Sequence, residues 1–141
     1  MKLKKYLRKM NREEFEGYLI SIGGVYDWRG NNTTNPSFFG VNEGWFIIVK
    51  NLISELLEFG WDRHMIQSKE KFGKLNFYIK EPTKVLQGII LTYEKLSYNI
   101  CEVCGQLGSQ RNDGWVKTLC DIHADERENI NQKQNKNGNR N

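Results

Sequence analysis

Apolar positions recur along this chain at two periods, one near 3.6 residues and one of 2, and they divide it into helices and a single hairpin. Phe15, Tyr18, Leu19 and Ile22 form the first helical stripe. Ahead of it Asn11 is placed to cap a helix, Glu14 completes a capping box, and Met10 and Phe15 stand where a hydrophobic staple would sit. Gly23-Gly24 stops that helix. Leu3, Tyr6, Leu7 and Met10 also fall at helical spacing, among lysines. They read as a short amphipathic helix packed on the domain, with an arm for a membrane surface or nucleic acid as the alternative.

A second stripe, Trp45, Val49, Leu52, Ile53, Leu56 and Leu57, predicts a helix over 43–59, capped by Asn42 and ended by Gly60. The period then changes. Leu75, Phe77 and Ile79 alternate on one face, and Gly73 marks a tight turn, so 64–79 reads as a β-hairpin. Pro82 suits the first position of a third helix over 82–99, with Val85, Leu86, Ile89, Ile90, Tyr93 and Leu96 as its buried stripe. Between the first two helices, residues 24–42 lack periodicity but hold Trp28, Arg29, Phe38 and Phe39 among turn formers. A stretch this long is either a binding loop or a surface loop whose aromatics fold back onto the core.

The third helix delivers the chain to Cys101-Glu-Val-Cys104, and fifteen residues further on comes Cys120-Asp-Ile-His123. All three cysteines and one of the two histidines lie in this window. Two close pairs joined by a loop are what tetrahedral zinc requires, and Gly105 fits the turn of a zinc knuckle. Reduced core thiols beside a coincidental histidine are the plainer alternative. Four protein ligands close the coordination sphere, so the zinc is expected to be structural rather than catalytic. Trp115 to Leu119 reads as a strand and a short helix starts near Cys120. From about Asp125 the chain is too polar to order itself and is expected to fray.

The expected fold is therefore α+β: helices packed on a small antiparallel β-hairpin, with a C-terminal zinc-knuckle or ribbon module. The expected organisation is a body over 1–99 with a basic arm, a zinc module over 100–125 and a polar tail over 126–141. A length of 141 residues and 38% hydrophobic content allow one real core. The odd cysteine count argues against a disulfide framework, and the N-terminus carries no signal-like apolar segment. Both point to the cytoplasm, and no apolar run approaches membrane-spanning length.

Charge sharpens this picture. The formal net charge of +4 is unevenly spread: residues 1–12 carry +6, residues 13–60 carry −5 and residues 61–84 carry +3. Lys69, Lys71 and Lys74 crowd the hairpin turn beside Phe72 and Tyr78, with Glu70 and Glu81 as the nearby acids. A bound phosphate would relieve their repulsion and a stacked ring would hold a base. A lysine-rich turn that merely keeps the tip soluble is the bland alternative.

The segments GVNEGWF, LISELL, KEKFGKLNFYI, CEVCGQLG and GWVKTLCDIHAD resemble a group of small proteins encoded by bacteriophages and prophages. That group combines a Gly-Trp helix start, a KEKFG-L-FY hairpin and a C-terminal zinc module. The resemblance covers about residues 40–125. It implies a viral or mobile-element origin, a bacterial host cytoplasm and a role against host machinery. The sequence departs from the group at Asn76, where arginine is expected, so a cationic role does not carry over to that position.

Catalysis has little support. There is no phosphate-binding glycine loop and no nucleophile elbow. A zinc deaminase needs its His- or Cys-x-Glu ahead of the Cys pair, whereas here His123-Ala-Asp125 comes last. His64 reads as a structural histidine. The favoured expectation is a non-catalytic protein gripping an anionic, nucleotide-like molecule, such as a host immune signal to be sequestered. Its pocket would lie between the hairpin, helix 43–59 and the 24–42 loop, using Lys69, Lys71, Phe72, Lys74, Tyr78, Trp28, Arg29 and Trp45. The alternative is a zinc-module protein that binds nucleic acid or a host protein.

Overall fold

The computed structural model describes residues 7–138, with side chains as far as residue 132. The stripe over Leu3 and Tyr6 lies outside these residues, while Leu7 packs against the core and Met10 is buried in it. Helix α1 spans Arg12–Ser21 and begins on the capping box that Asn11 and Glu14 predict. Phe15 and Leu19 are its fully buried residues, and Phe15 packs at a tilt against Phe46 and Phe39 with ring centroids 4.8 and 5.3 Å apart.

The 24–42 stretch is more ordered than its sequence suggests. It forms strands β1 (Val25–Tyr26) and β2 (Asn32–Thr33), paired antiparallel, and a 3₁₀ turn over Pro36–Phe39. Its aromatics divide: Phe39 folds back into the core as one reading expects, while Trp28 stays exposed. A second 3₁₀ turn, Glu43–Trp45, precedes helix α2, Phe46–Glu58. The helix thus starts later than expected, and the Asn42 side chain makes no capping bond. The reason lies in packing, because Gly44 and Trp45 are held against the metal turn described below.

Strands β3 (Met65–Lys71) and β4 (Lys74–Ile79) form the predicted hairpin, with Lys71 opposite Lys74, Lys69 opposite Asn76 and Gln67 opposite Tyr78. Phe72 and Gly73 close it in two residues, both at positive φ (54° and 76°). That is the twist a two-residue hairpin turn demands. Leu75, Phe77 and Ile79 face inward and are buried. Helix α3, Lys84–Ser97, is capped by Thr83 rather than opened by Pro82, which sits one residue before the cap. Its buried face holds Leu86, Ile89, Ile90, Tyr93 and Leu96 as predicted, but Val85 is exposed and Glu94 and Ser97 are buried instead.

Both flanks of the hairpin are covered. Glu94 accepts the Phe77 amide at 2.9 Å and the Ser97 hydroxyl accepts the Leu75 amide at 2.9 Å. On the other side the Glu70 amide donates to the Gly40 carbonyl at 3.2 Å. Strand groups that would otherwise template pairing with another chain are thereby satisfied.

The C-terminal part consists of the metal turns, the antiparallel pair β5 (Ser109–Arg111) and β6 (Lys117–Leu119), and helix α4, Asp121–Gly138. The fold is therefore α+β, with three two-stranded antiparallel sheets among the described residues. Helix α4 is longer than the short helix expected near Cys120 and runs on past Asp125 to Gly138. The turn at Cys120 nucleates it, and the Glu, Gln, Lys and Arg residues that follow carry helical propensity without needing an apolar face. Arg127 also ties the helix to the loop before β6 through the Trp115 and Asp113 carbonyls.

Candidate metal centre and ligand face

The end of α3 places Cys101 and Cys104 on a tight turn in which the Gly105 amide returns to the Cys101 carbonyl at 3.0 Å. Cys120 and His123 lie across the first turn of α4. The four donor atoms are within 4.8 Å of one another, and none of the cysteines is in a disulfide. Metal–sulfur bonds of about 2.3 Å and metal–nitrogen bonds of about 2.0 Å make a tetrahedron with edges of about 3.8 Å (S–S) and 3.5 Å (S–N). The Cys104 and Cys120 sulfurs are 3.8 Å apart, and His123 Nδ1 is 3.6 Å from Cys101 Sγ and 3.2 Å from Cys120 Sγ. These side chains can hold one tetrahedral ion, with His123 binding through Nδ1. Its Nε2 then faces Glu126, 3.9 Å away.

The turn is built into the body. Trp45 Nε1 donates to the Ile100 carbonyl at 2.8 Å, and the Gly44 amide donates to the Glu102 carbonyl at 2.9 Å. A Cβ on Gly44 would collide with the backbone of Cys101 and Glu102, so the Gly-Trp pair serves as the seat of the metal turn. Trp45 is completely buried there. This corrects its expected place among the ligand-binding residues.

A half-buried ion-pair network, of which only Glu102 is fully buried, joins the module to the hairpin. Lys117 Nζ lies 2.5 Å from Glu70 Oε1 and 3.6 Å from Glu102 Oε1. Burial alone would depress the Lys117 ammonium, but the two carboxylates outweigh it and hold its pKa above the ordinary lysine value. Burial raises the Glu102 pKa, against the pull of the Thr118 amide and Lys117. Glu70 also accepts the Gly73 amide at 2.8 Å, and Thr118 Oγ1 donates to the Gly73 carbonyl at 2.6 Å. Gly73 is needed twice over: for its positive φ, and because a Cβ would come within 3.1 Å of the Lys117–Thr118 backbone.

Glu70 therefore faces away from Lys69, Lys71 and Lys74 and does not relieve their repulsion, contrary to expectation. Among the described residues those three lysines enter no ion pair. They share the outer face of the hairpin with Gln67, Asn76 and the exposed Tyr78. Phe72 stands at the tip, 60% exposed, with the Lys71 ammonium 5.6 Å from its ring centroid.

Beside the open end of β3, next to the 24–42 segment, a groove of about 550 Å³ is lined by Trp28, Phe38, Ile66, Gln67 and Ser68. Arg29 lies over the Trp28 ring at 4.5 Å. Ser68 is buried, and its hydroxyl has no partner among the described residues. The groove runs between the loop and β3 only, and its lining includes nothing from α2, whose apolar residues are spent on the core. His64 stacks on Tyr26 at 4.7 Å, which fits a structural role.

Sequence reasoning missed the Glu70–Lys117–Glu102 network, the groove residues Ile66, Gln67 and Ser68, and Trp115, which is 82% exposed. Only Trp115 left a signal, as an indole directly after Gly114 in the loop between the two ligand pairs.

The fold and site together define an α+β body with a C-terminal Cys₃His cluster able to hold one metal ion. Comparison with protein-family models, with curated proteins and with solved structures gives no match. No helix among the described residues is long and apolar enough to cross a membrane.

Proposed function

We propose that the chain is a non-catalytic binding protein whose hairpin face holds an anionic, nucleotide-like ligand, and that its metal is structural zinc. The observation that carries this reading is the row Lys69, Lys71 and Lys74, left without carboxylate partners beside a groove walled by Trp28 and Phe38. Three unpaired ammonium groups on one face repel one another, and phosphate oxygens relieve that cost. Indole and phenyl faces in a groove of this volume suit a planar base.

Zinc is favoured because three thiolates and an imidazole at tetrahedral spacing suit it better than hard, oxygen-seeking cations. A four-ligand set leaves no coordination position for a substrate, which supports a scaffold role. The resemblance to phage-encoded proteins supports a cytoplasmic role against the host, with sequestration of an immune signal as the form that a non-catalytic binder would take. The second reading, a zinc module that itself binds nucleic acid or a host protein, is weaker. Both cations within 101–123 are committed, Arg111 to Asp121 at 2.8 Å and Lys117 to Glu70 and Glu102.

The test combines native mass spectrometry of protein purified from bacteria with calorimetric titration of ATP. A bound nucleotide or a measurable ATP affinity is expected, with affinity falling at least about tenfold in the Lys69→Ala/Lys71→Ala double variant at unchanged melting temperature. Unaltered affinity in the folded variant, or no nucleotide in either experiment, rejects the reading.

A further inference from the structure

The hairpin face has a second aromatic end. At its tip a cleft of about 330 Å³ is lined by Phe72, Gly114, Trp115 and Val116. Trp115 is 82% exposed and Phe72 60%, so neither ring serves the core. The backbone that carries each ring is nevertheless held in place. Arg127 fixes the loop through the Trp115 carbonyl, and Gln110 Nε2 donates to the Phe72 carbonyl at 3.0 Å.

Phe72 also occupies the first position of the turn at φ 54°, where Asn or Gly would be less strained. An exposed phenyl kept at a strained backbone position points to a role in binding rather than in folding.

Strand geometry sets the distance between the two aromatic ends. Five residues separate Gln67 in the basal groove from Phe72 at the tip, a span of about 17 Å along an extended strand. Lys69, Lys71 and Lys74 lie between. A single base can stack at one end or the other, but not at both.

We infer that the hairpin face binds a single-stranded oligonucleotide, with one base seated in the Trp28–Phe38 groove, another between Phe72 and Trp115, and the intervening phosphates on the three lysines. This rests on the nucleotide-binding reading and extends it from one nucleotide to a strand. Duplex is disfavoured because its bases are already stacked on each other and cannot offer free faces to either cleft. Stacking makes the site tolerant of sequence, and three lysine–phosphate contacts give a logarithmic salt slope of about −2 for a single strand.

The experiment titrates full-length, metal-loaded protein with thymidine monophosphate, then with oligothymidylates of two, four and eight nucleotides, and with a duplex of equal length, across a salt series. Affinity is expected to rise steeply up to about the tetranucleotide and then level off. Trp115→Ala should lower oligonucleotide affinity about 5- to 150-fold while the monophosphate still binds in the Trp28–Phe38 groove, and Trp115→Phe should restore most of the loss. Trp115 is so exposed that either variant keeps the core.

If the monophosphate binds as tightly as the longer strands, or Trp115→Ala has no effect on them, the inference fails and the single-nucleotide reading survives. Preference for duplex also overturns it. Failure of every probe to bind overturns both.

Discussion

The Cys120 thiol shows the metal turn's chemistry at the scale of one atom. Burial pushes its pKa up, but the His123 amide and ring and the neighbouring thiols overcome this and bring it down to about 7. Burial dominates at Cys104 and pushes it up to about 11, with Cys101 and Cys120 adding to the rise. Near neutral pH an incoming ion must therefore displace at least the Cys104 proton. Metal affinity should rise at least about tenfold per pH unit between pH 7 and 9, one factor of ten for each proton released. Competition against a colorimetric chelator at pH 7, 8 and 9 reads this slope, and a flat profile would mean that Cys104 is not a ligand. At this scale the sequence was most readable where a residue acts on its near neighbours. The Asn11–Glu14 box and the two ligand pairs each bring together residues three apart, so spacing alone exposes them. Trp45 was misread because its indole bonds to Ile100, 55 residues away.

Periodicity located α1, α2, α3 and the β3–β4 hairpin, and the departures within them cluster where one element meets another. Helix α2 begins late because the Gly44 backbone is pressed on the metal turn, and Val85 drops from the α3 stripe while Glu94 and Ser97 enter it. Those polar residues look out of place on an apolar face until β4 is set beside them with its amides in need of acceptors. Glu94→Ala should cost about 1–3 kcal/mol by leaving the Phe77 amide buried and unpaired, whereas Glu94→Gln keeps an acceptor and should cost less. Chemical denaturation of the two variants checks the order; equal losses would show that the contact contributes little. Strand alternation predicted the lysine face, because period 2 assigns sides without further information. It could not show that Glu70 belongs to Lys117, which comes from a different sheet.

Over the whole molecule, the module and the body share an interface at Gly44–Trp45, at Gly73 and through Lys117. Removing the ion with a chelator should abolish amide protection across 101–123 first and loosen the hairpin tip, while α1, α2 and α3 stay helical on their own core. Hydrogen exchange with circular dichroism tests this, and loss of all helical signal in one step would contradict a body able to stand without the module. The chain's own order of residues sufficed for α1, α2, α3, the hairpin and the tetrad of candidate metal donors, since each depends on neighbours or on a repeat. Which way Glu70 turns, whether Trp45 is reachable, and that Trp28 and Trp115 stand at opposite ends of one lysine row all depend on contacts between distant segments. Packing sets these, because a side chain's surroundings come from whatever the fold brings against it, and no local spacing encodes that.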